Sequence, residues 1–315
     1  MTVEIESHEG QVPEEKAGKR LDQTLAEMFP DFSRSRLKTW IEAGLVEVNG
    51  QMWRPRDRLH GGEKVVVHAM HEPVVEVRPE AIPIEIVHED ADLLVVNKAA
   101  GMVVHPGAGN RSGTLQNALL HFDSRLATLP RAGIVHRLDK DTSGLLVIAR
   151  TLRAHTALVQ ALAARHISRE YYAVCQGVMI SGGTVDAPIG RHPVDRIRMA
   201  VVPGGRPALS HYRIAERFAA HTLVQVALES GRTHQIRVHM KHIGHPLVGD
   251  PLYGGRLAIP ANASESLHGA LHGFRRQALH ATRLALTHPV SGAQLEWNSA
   301  MPDDLQALLD AMRNG

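Results

Sequence analysis

Apolar residues near the start of the chain recur with the spacing of short helices. Leu21, Leu25 and Met28 fall on one face of a first predicted helix. A second helix is predicted to begin after the N-cap residue Ser33 and to end at Gly44. Two strands are predicted to follow, at 46–48 and 64–68, with an Asn-Gly hairpin turn directly after the first. This pattern predicts a small α+β unit.

From residue 84 onward, apolar runs of strand length outnumber segments with helical spacing. The predicted strands are 85–88, 93–97, 144–149, 171–174, 223–228 and 232–240, and the predicted helices are 114–119, 152–164 and 302–312. Residues 257–270 show neither pattern and are predicted to form an irregular insertion. Because strands and helices do not alternate regularly, the pattern indicates an α+β fold and argues against a doubly wound sheet.

The same pattern divides the chain into four parts. Residues 1–12 lack periodicity, and the acidic segment 1–17 is predicted to be a flexible tail. Residues 18–70 form the small α+β unit, and the proline-containing segment 71–83 is predicted to be an extended linker. The larger domain is expected to span residues 84–315.

Composition narrows the class of protein. A hydrophobic fraction of 43% and a charged fraction of 22% are typical of a globular chain with a substantial core. A single cysteine excludes an internal disulfide framework and fits a reducing compartment. No apolar run reaches membrane-spanning length, and glutamates stand where a signal peptide is basic. We therefore expect a cytoplasmic protein without a membrane partner.

Charge is unevenly distributed although the net charge is only +2. Residues 131–170 hold seven Arg or Lys against three Asp or Glu, and residues 191–256 hold ten against four. Arginine predominates in both segments, and its guanidinium group suits phosphate recognition. The pattern favours a polyanionic partner over ordinary scatter of surface charge.

The densest group of reactive side chains lies at 136–144, directly before a predicted strand. A carboxylate such as Asp139 beside a buried strand needs a nearby cation to stay ionised. Arg137 is close in sequence, and Arg232 is the expected partner from across the site. A buried Asp–Arg pair that only orders a loop is the alternative that these residues leave open.

Two further features have a functional and a purely structural interpretation. Tyr171, at the start of a predicted strand, has a ring suited to stacking on a base and a hydroxyl suited to proton transfer, but it also fits an ordinary core tyrosine. The glycine-rich segment 101–109 would allow backbone to approach a phosphate. It lacks the Gly-Lys-Ser/Thr of a phosphate-binding loop.

Two other motifs have a metal-site or a phosphatase interpretation. Four histidines, at 234, 239, 242 and 245, invite a metal interpretation, but no Cys or carboxylate completes a familiar ligand set, and no metal is expected. The Asp-Lys-Asp-Thr run at 139–142 is close to the D-x-D-x-T signature of aspartate-nucleophile phosphatases. There the apolar strand leads into the motif, whereas here it follows.

The first unit resembles the S4-type RNA-binding domain. The residues that carry this resemblance are Arg20-Leu21-Asp22, Ser33-Arg34, Gly44-Leu45-Val46, Val48-Asn49-Gly50 and Gly62-Glu63, with Glu63 where such domains usually have Asp. The resemblance implies that the exposed basic face of the second helix binds RNA. That face carries Arg34, Arg36 and Lys38.

The larger domain resembles the RluA family of pseudouridine synthases. The matching motifs are NK at 97–98, GMVVHPG at 101–107, GIVHRLD at 133–139, DTSGLL at 141–146, REY at 169–171, GRTHQIRVH at 231–239, GHPL at 244–247, GD at 249–250 and LHA at 279–281. Ala99 stands where such chains often have Pro. The resemblance implies a mixed, mostly antiparallel sheet with flanking helices behind the S4-like unit.

The resemblance also implies roles. Asp139 would be the essential catalytic aspartate, Tyr171 would stack on the target base and handle its proton, and Arg232 would pair with the aspartate. Arg137 would hold the flipped nucleotide, and further RNA contacts are expected from His136, Arg169 and Arg237. The implied reaction breaks the uridine C1′–N1 bond, rotates the base and rejoins it through C5, without a metal or a nucleotide cofactor.

The implied substrate is large-subunit (23S) ribosomal RNA, at uridines in a stem-loop such as helix 69. A monomer is expected, because the sequence shows neither a coiled coil nor an apolar surface stripe. Two alternatives stay open at this point. One is a non-catalytic RNA-binding factor for ribosome assembly, and the other is the aspartate-nucleophile phosphatase.

Overall fold

A computed structural model describes residues 5–70, 77–107 and 109–315 of the 315-residue chain. The chain divides into two compact units, Met1–Glu76 and Val77–Gly315. Of the predicted linker, residues 71–76 lie outside the described part. Residues 78–82 pack on the second unit, where Asn117 Nδ2 donates to Arg78 O (2.8 Å) and Glu80 N donates to Asn117 O (3.1 Å).

The first unit packs two helices on a four-stranded antiparallel sheet. Its elements are β1 (Ile5–Gln11), α1 (Leu21–Met28), α2 (Arg34–Glu42), β2 (Val46–Val48), β3 (Gln51–Met52) and β4 (Lys64–Met70), with sheet order β1-β4-β2-β3. The Ser33 hydroxyl accepts from Arg36 N, as an N-cap does. Asn49 and Gly50 both have positive φ, which the predicted tight hairpin turn requires.

Part of the predicted flexible tail, residues 1–17, is a strand. Residues 5–11 form β1, which pairs in antiparallel register with β4. The sequence is polar because an edge strand is held mainly by backbone hydrogen bonds, so it lacks the apolar alternation of a central strand. The His8 ring packs edge-on against Phe32 at 5.0 Å, and Val12 directly after the strand is buried. These contacts attach the segment to the first unit.

The second unit is built on one large, mixed sheet. Its strands are β5 (Glu85–Glu89), β6 (Leu93–Lys98), β7 (Ser143–Ala149), β8 (Ser168–Gln176), β9 (Gly183–Asp186), β10 (Ile189–Arg191), β11 (Met199–Val201), β12 (Leu209–Arg217), β13 (His221–Leu228), β14 (Leu279–Thr287) and β15 (Gln294–Asn298). The sheet order is β5-β6-β7-β14-β8-β13-β12-β9, with β15 also paired to β14, while β10 and β11 form a separate hairpin. Only the pairing of β7 with β14 is parallel among these described strands. The mixed, mostly antiparallel α+β fold is therefore confirmed.

Five helices flank the sheet in the described part of this unit. They are α3 (Leu115–Phe122), α4 (Leu152–Ala163), α5 (Gln235–His242), α6 (Glu265–Gly273) and α7 (Asp303–Asn314). Within residues 5–70, 77–107 and 109–315, none combines the length and apolar character needed to cross a bilayer.

Two predictions of local structure were wrong. Residues 232–240 were predicted to form a strand, but 235–242 form α5, and residues 257–270, predicted to be irregular, contain the start of α6. Residues 235–240 are all buried, so polar and apolar positions are mixed on every face and the helical period is hidden. The helix ends before Gly244, whose positive φ suits a helix terminus.

The single parallel pairing brings the loop before β7 onto β14. Gly144 pairs with Ala281 and has φ +116°, and a Cβ there would stand 2.2 Å from Ala281 O. The Ser143 hydroxyl and His280 Nδ1 are 3.0 Å apart, which adds a buried hydrogen bond between the same strands. Burial lowers the pKa of His280 to about 4, so this imidazole is neutral. The close approach fixes the position at which the segment 139–142 enters β7 of the sheet.

We predict that Gly144→Ala destabilises the protein by about 3 kcal/mol or more, because both backbone and sheet pairing must shift. Gly269→Ala, in α6 with no atom near its added Cβ, is the matched control and should be neutral or slightly stabilising. Guanidinium unfolding of the full chain measures both. Equal midpoints for the two variants would show that the Gly144 contact does not constrain the fold.

Candidate active site

A cavity of about 380 Å³ opens on the second unit. This volume lies in the range of small-ligand pockets and suits one nucleobase with part of its sugar. Its walls come from the segment 131–142, the start of β8, and the turn that leads into α5. The polar side chains among its lining residues are His105, Arg131, His136, Arg137, Asp139, Thr142, Arg169, Tyr171, Arg232, Thr233, His234, Gln235 and Arg237.

Lys98 holds the segment that carries Asp139 in place through hydrogen bonds. Its Nζ donates to three backbone oxygens, those of Ala99 (2.8 Å), Met102 (2.9 Å) and Lys140 (2.9 Å). Burial lowers the pKa of this amine to about 7, against the opposing charges of Asp141 and Asp139. The three ammonium donors are thus all used to join the turn after β6 to the residue next to Asp139.

Asp139 is paired with Arg237. Arg237 Nη1 donates to Asp139 Oδ2 (3.0 Å), while its Nε and Nη2 donate to the two oxygens of Asp250 (2.7 and 2.8 Å). The side chains of Arg237 and Asp250 are 5% and 0% exposed, against 17% for Asp139. Asp250 therefore anchors the guanidinium in a bidentate grip, and Asp139 is the carboxylate of the two that lines the cavity.

Burial alone would lower the pKa of Arg237, but the hydrogen bonds and charge of Asp250, followed by the charge of Asp139, raise it above its ordinary value. The guanidinium therefore stays charged. A charged guanidinium thus stands 3.0 Å from Asp139 Oδ2 as its charge partner.

The predicted pairing of Arg232 with Asp139 was wrong, because the contact is made by Arg237 instead. Arg232 Nε donates to Pro207 O (3.1 Å), and Arg232 N donates to Gln235 Oε1 (3.0 Å). The error follows from the missed helix. Residue 232 stands in the turn before α5, whereas residue 237 lies on the helix face toward Asp250. Arg232 lines the cavity without forming an ion pair with Asp139.

Arg237 was also expected to contact RNA, and its burial excludes that role. All three nitrogens of its guanidinium are already bound to the two carboxylates. Its side chain also stacks on the buried Tyr253 ring, with the guanidinium carbon 5.0 Å from the ring centroid. The two N–H groups that remain belong to a side chain that is only 5% exposed, so Arg237 serves the carboxylates rather than a phosphate.

Tyr171 lies in β8, is 6% exposed and contributes to the cavity wall. Burial raises the pKa of its phenol, with a further rise from Asp139 and a fall from Arg169. The hydroxyl is therefore protonated at neutral pH. The ring and the Asp139 carboxylate face one cavity, as the motif resemblance implied.

Arg137 and Arg169, both expected to contact RNA, line this cavity together with Arg232. No carboxylate in the described residues lies within ion-pair distance of any of them. Arg169 is 8% exposed, its Nε has no partner, and a Cβ at Gly231 would stand 2.9 Å from its Nη1. Unpaired guanidinium groups make the cavity attractive to phosphate.

His136 was expected to contact RNA, but in the structure it makes a hydrogen bond within the protein. Val147 N donates to His136 Nε2 (3.1 Å), which holds the segment before Asp139 against β7. Burial, with a smaller effect of Arg169, lowers the pKa of this imidazole to about 3. His136 is therefore neutral and adds no positive charge to the cavity.

In the first unit, the three basic residues predicted to face RNA differ in the contacts that their charged groups make within the protein. Arg34 donates to the buried carboxylate of Asp22 (2.7 Å), which also accepts from Arg20 (2.9 Å). Lys38 lies 3.5 Å from Glu42, and Arg36 packs over the Trp40 ring at 5.9 Å. Arg34 thus stabilises this unit, whereas Arg36 presents its charge to solvent.

Sequence reasoning missed Asp250 and His234. Asp250 is the buried anchor of Arg237, and His234 Nε2 lies 4.0 Å from Asp139 Oδ1. Nearby His239 is structural, because its ring nitrogens bond to Ser210 Oγ (2.9 Å) and Ala187 O (3.0 Å). In the part of the chain that the structure describes, no group of three His, Cys, Asp or Glu is placed to hold a metal ion.

Comparisons with known proteins agree with this geometry. A family model described as RNA pseudouridylate synthase matches residues 92–242, and one described as S4 domain matches residues 19–65. The chain is 56% identical over 302 residues to a protein of Xanthomonas campestris named ribosomal large subunit pseudouridine synthase D, covering 96% of this chain and 91% of the relative. The protein of the same name in Escherichia coli K12 is 55% identical over 303 residues, covering 96% and 93%.

A solved structure shares the fold as well. It is human RNA pseudouridylate synthase domain containing 4, with a TM-score of 0.57 and 25% identity over 73% of this chain and 93% of that one. The matched segment 92–242 contains Asp139, Tyr171, Arg232 and Arg237, the residues that surround the cavity. The chain therefore belongs to the RluA family of RNA pseudouridine synthases and carries an S4 domain ahead of its catalytic domain.

Proposed function

We propose that this enzyme isomerises uridines of large-subunit ribosomal RNA to pseudouridine, with Asp139 as the catalytic group. The observation that carries the proposal is the Asp139–Arg237–Asp250 array at a base-sized cavity with unpaired arginines around it. The names of the relatives that match across 96% of the chain support the choice of substrate. A stem-loop such as helix 69 is the proposed location, because an unpaired uridine is the least costly to extrude.

The geometry suggests how the substrate enters. A uracil stacked in RNA cannot reach a recessed carboxylate, so the nucleotide must turn out of the helix at a cost of a few kcal/mol. Arg137, Arg169 and Arg232 are placed to bind the flanking phosphates and offset that cost. The Tyr171 ring offers a surface for the extruded base. Asp139 Oδ2 is held by Arg237, which leaves Oδ1 for the reaction.

Asp139 acts on the nucleotide through attack at C1′, addition to the uracil ring or removal of a ribose proton. Each of these steps requires the carboxylate, and the hydrogen bond from Arg237 orients that group at the cavity. The first unit is proposed to dock RNA through the α2 face that exposes Arg36. Phosphate contacts made by this unit do not depend on the RNA sequence. The choice of uridine must therefore come from the cavity and from the fold of the RNA.

We also propose that the protein acts in the cytoplasm as a monomer. The single cysteine, Cys175, is buried and unpaired, which fits a reducing compartment. Light scattering on the full chain should give a mass near the 34.5 kDa of one copy. A mass near twice that value at micromolar concentration would contradict the monomer.

The assignment is tested by Asp139→Asn, which keeps side-chain shape but removes the charge. An unmodified large-subunit RNA transcript is incubated with each protein, and pseudouridine is mapped by carbodiimide-dependent reverse-transcription stops. The wild type should form pseudouridine in EDTA, and the variant should lose at least about 10⁴-fold in rate while binding RNA equally well.

Asp141→Asn, two residues away and outside the cavity lining, is the matched control and should retain activity. A fully active Asp139→Asn protein would refute the assignment. A wild type that binds the transcript without forming pseudouridine would favour a non-catalytic assembly factor. Magnesium-dependent phosphate release would favour the phosphatase.

The two arginines should respond differently to replacement by methionine. Arg237→Met leaves two carboxylates without their cation and should cost about 3–5 kcal/mol of stability together with activity. Arg232→Met should leave the unfolding midpoint unchanged, weaken RNA binding, and reduce the slope of log K against log salt by about 0.7–0.9. Unfolding curves and filter binding at several salt concentrations measure both. Identical behaviour of the two variants would contradict the separate roles.

A further inference from the structure

A second pair of side chains, His234 and Tyr253, stands beside Asp139. His234 Nε2 is 4.0 Å from Asp139 Oδ1, and His234 Nδ1 is 2.8 Å from the Tyr253 hydroxyl. His234 lines the cavity, whereas Tyr253 is 2% exposed and contacts the His234 ring from within the protein. The roles proposed above do not use either residue.

The hydrogen bonds around Tyr253 determine which nitrogen of His234 carries the proton. Met199 N donates to the Tyr253 hydroxyl (2.8 Å), so that oxygen already acts as an acceptor. Its own hydrogen then has His234 Nδ1 as its acceptor. The reverse arrangement, with Nδ1 as donor, would leave a buried hydroxyl hydrogen without a partner, which is costly. His234 is therefore protonated on Nε2, the nitrogen nearer to Asp139.

Two further observations support a neutral, fixed imidazole. Burial lowers the pKa of His234, despite the opposing effect of Asp139, and burial raises the pKa of Tyr253, so its hydroxyl keeps its proton. His234 also has φ +58° and ψ +23°, a left-handed conformation that is unfavourable for a residue with a Cβ. It precedes α5 without capping it, because no side-chain cap bond is present. Such strain is common where a side chain must be aimed at a substrate.

Asp139 Oδ1 accepts no side-chain hydrogen bond from the described residues, so it is available to a substrate. Among the described residues, Arg237 is the only side chain that donates a hydrogen bond to Asp139, and it uses Oδ2. The 4.0 Å between Oδ1 and His234 Nε2 is too long for a hydrogen bond. A donor and a carboxylate oxygen thus face the same part of the cavity without satisfying each other.

We propose that His234 is a further catalytic residue, whose Nε2–H donates a hydrogen bond to a carbonyl oxygen of the extruded uracil, and that Tyr253 is the positioning residue that fixes this tautomer. The proposal rests on the proposed function, since it assigns a contact to the same reaction.

The chemistry of the detached base explains why such a donor helps. When the C1′–N1 bond breaks, its electron pair stays on the uracil, and the negative charge spreads over N1 and the carbonyl oxygens. A neutral N–H donor stabilises that anion without adding or removing a proton. The C5–C1′ bond then forms, the C5 proton leaves and N1 gains a proton, so the reaction remains a net isomerisation. His234 returns unchanged in each turnover.

The tautomer is measured directly by ¹⁵N NMR. The full chain is labelled at histidine, His234 is assigned from the signals lost in His234→Gln, and long-range ¹H–¹⁵N correlations identify the protonated nitrogen. Wild type should show the Nε2–H form, and Tyr253→Phe should show a mixture of both tautomers. An Nδ1–H form in the wild type overturns the proposal, whether or not the enzyme is active on the RNA chosen.

Single-turnover kinetics test the contact itself. His234→Leu should slow pseudouridine formation about 100-fold with RNA affinity unchanged within about twofold, and His234→Gln, which restores an N–H donor, should recover at least about tenfold of that loss. Tyr253→Phe should slow the reaction about tenfold. A His234→Leu rate within about twofold of wild type, or a loss confined to RNA affinity, overturns the proposal.

Two controls separate causes. Thermal unfolding shows whether His234→Leu is folded, and if it is not, the NMR tautomer and the Tyr253→Phe rate decide the proposal. A wild type that forms no pseudouridine on large-subunit RNA contradicts the proposed function instead. That result leaves the tautomer measurement to decide the role of the His234–Tyr253 pair.

Discussion

The shared guanidinium of Arg237 is the interaction on which the rest of the site depends. One buried cation serves two carboxylates, and the two differ in what they can do. Asp250 is fully buried and holds two of its nitrogens, so it fixes the position of the guanidinium. Asp139 receives the remaining nitrogen and keeps one oxygen free at the cavity. Removing a single partner would leave an uncompensated buried charge, which costs far more than the pair contributes.

Several otherwise separate features follow from this array. The loop that carries Asp139 must meet α5 at a fixed distance, and three elements hold it there. Gly144 allows the close parallel pairing with β14, and the three donors of Lys98 join the loop to the turn after β6. His136 fastens the same loop to β7 through a backbone N–H. A catalytic carboxylate must be held in one position by the residues around it, and these contacts fix the loop that carries Asp139.

The sequence predicted what local patterns encode. The helices α1 and α2, the Asn49-Gly50 turn and the α+β class follow from apolar spacing and turn chemistry, and Asp139 and Tyr171 do line one cavity. The strand predicted over 232–240 failed because residues 235–240 of α5 are all buried, which removes the polar stripe that reveals a surface helix. That one error shifted the partner of Asp139 from Arg237 to Arg232. Asp250 and His234 were missed because their roles depend on contacts across the fold, with Arg237 and Tyr253.

The structure of the Asp139→Asn protein bound to a large-subunit RNA stem-loop is the most direct test of this site. We expect one uridine turned out of the helix, with its base against Tyr171 and its glycosidic bond beside Asn at position 139. The flanking phosphates should meet Arg137 and Arg169. Bound RNA with every uridine stacked, or an extruded base outside the cavity that Arg237 and Asp250 support, would contradict this expectation.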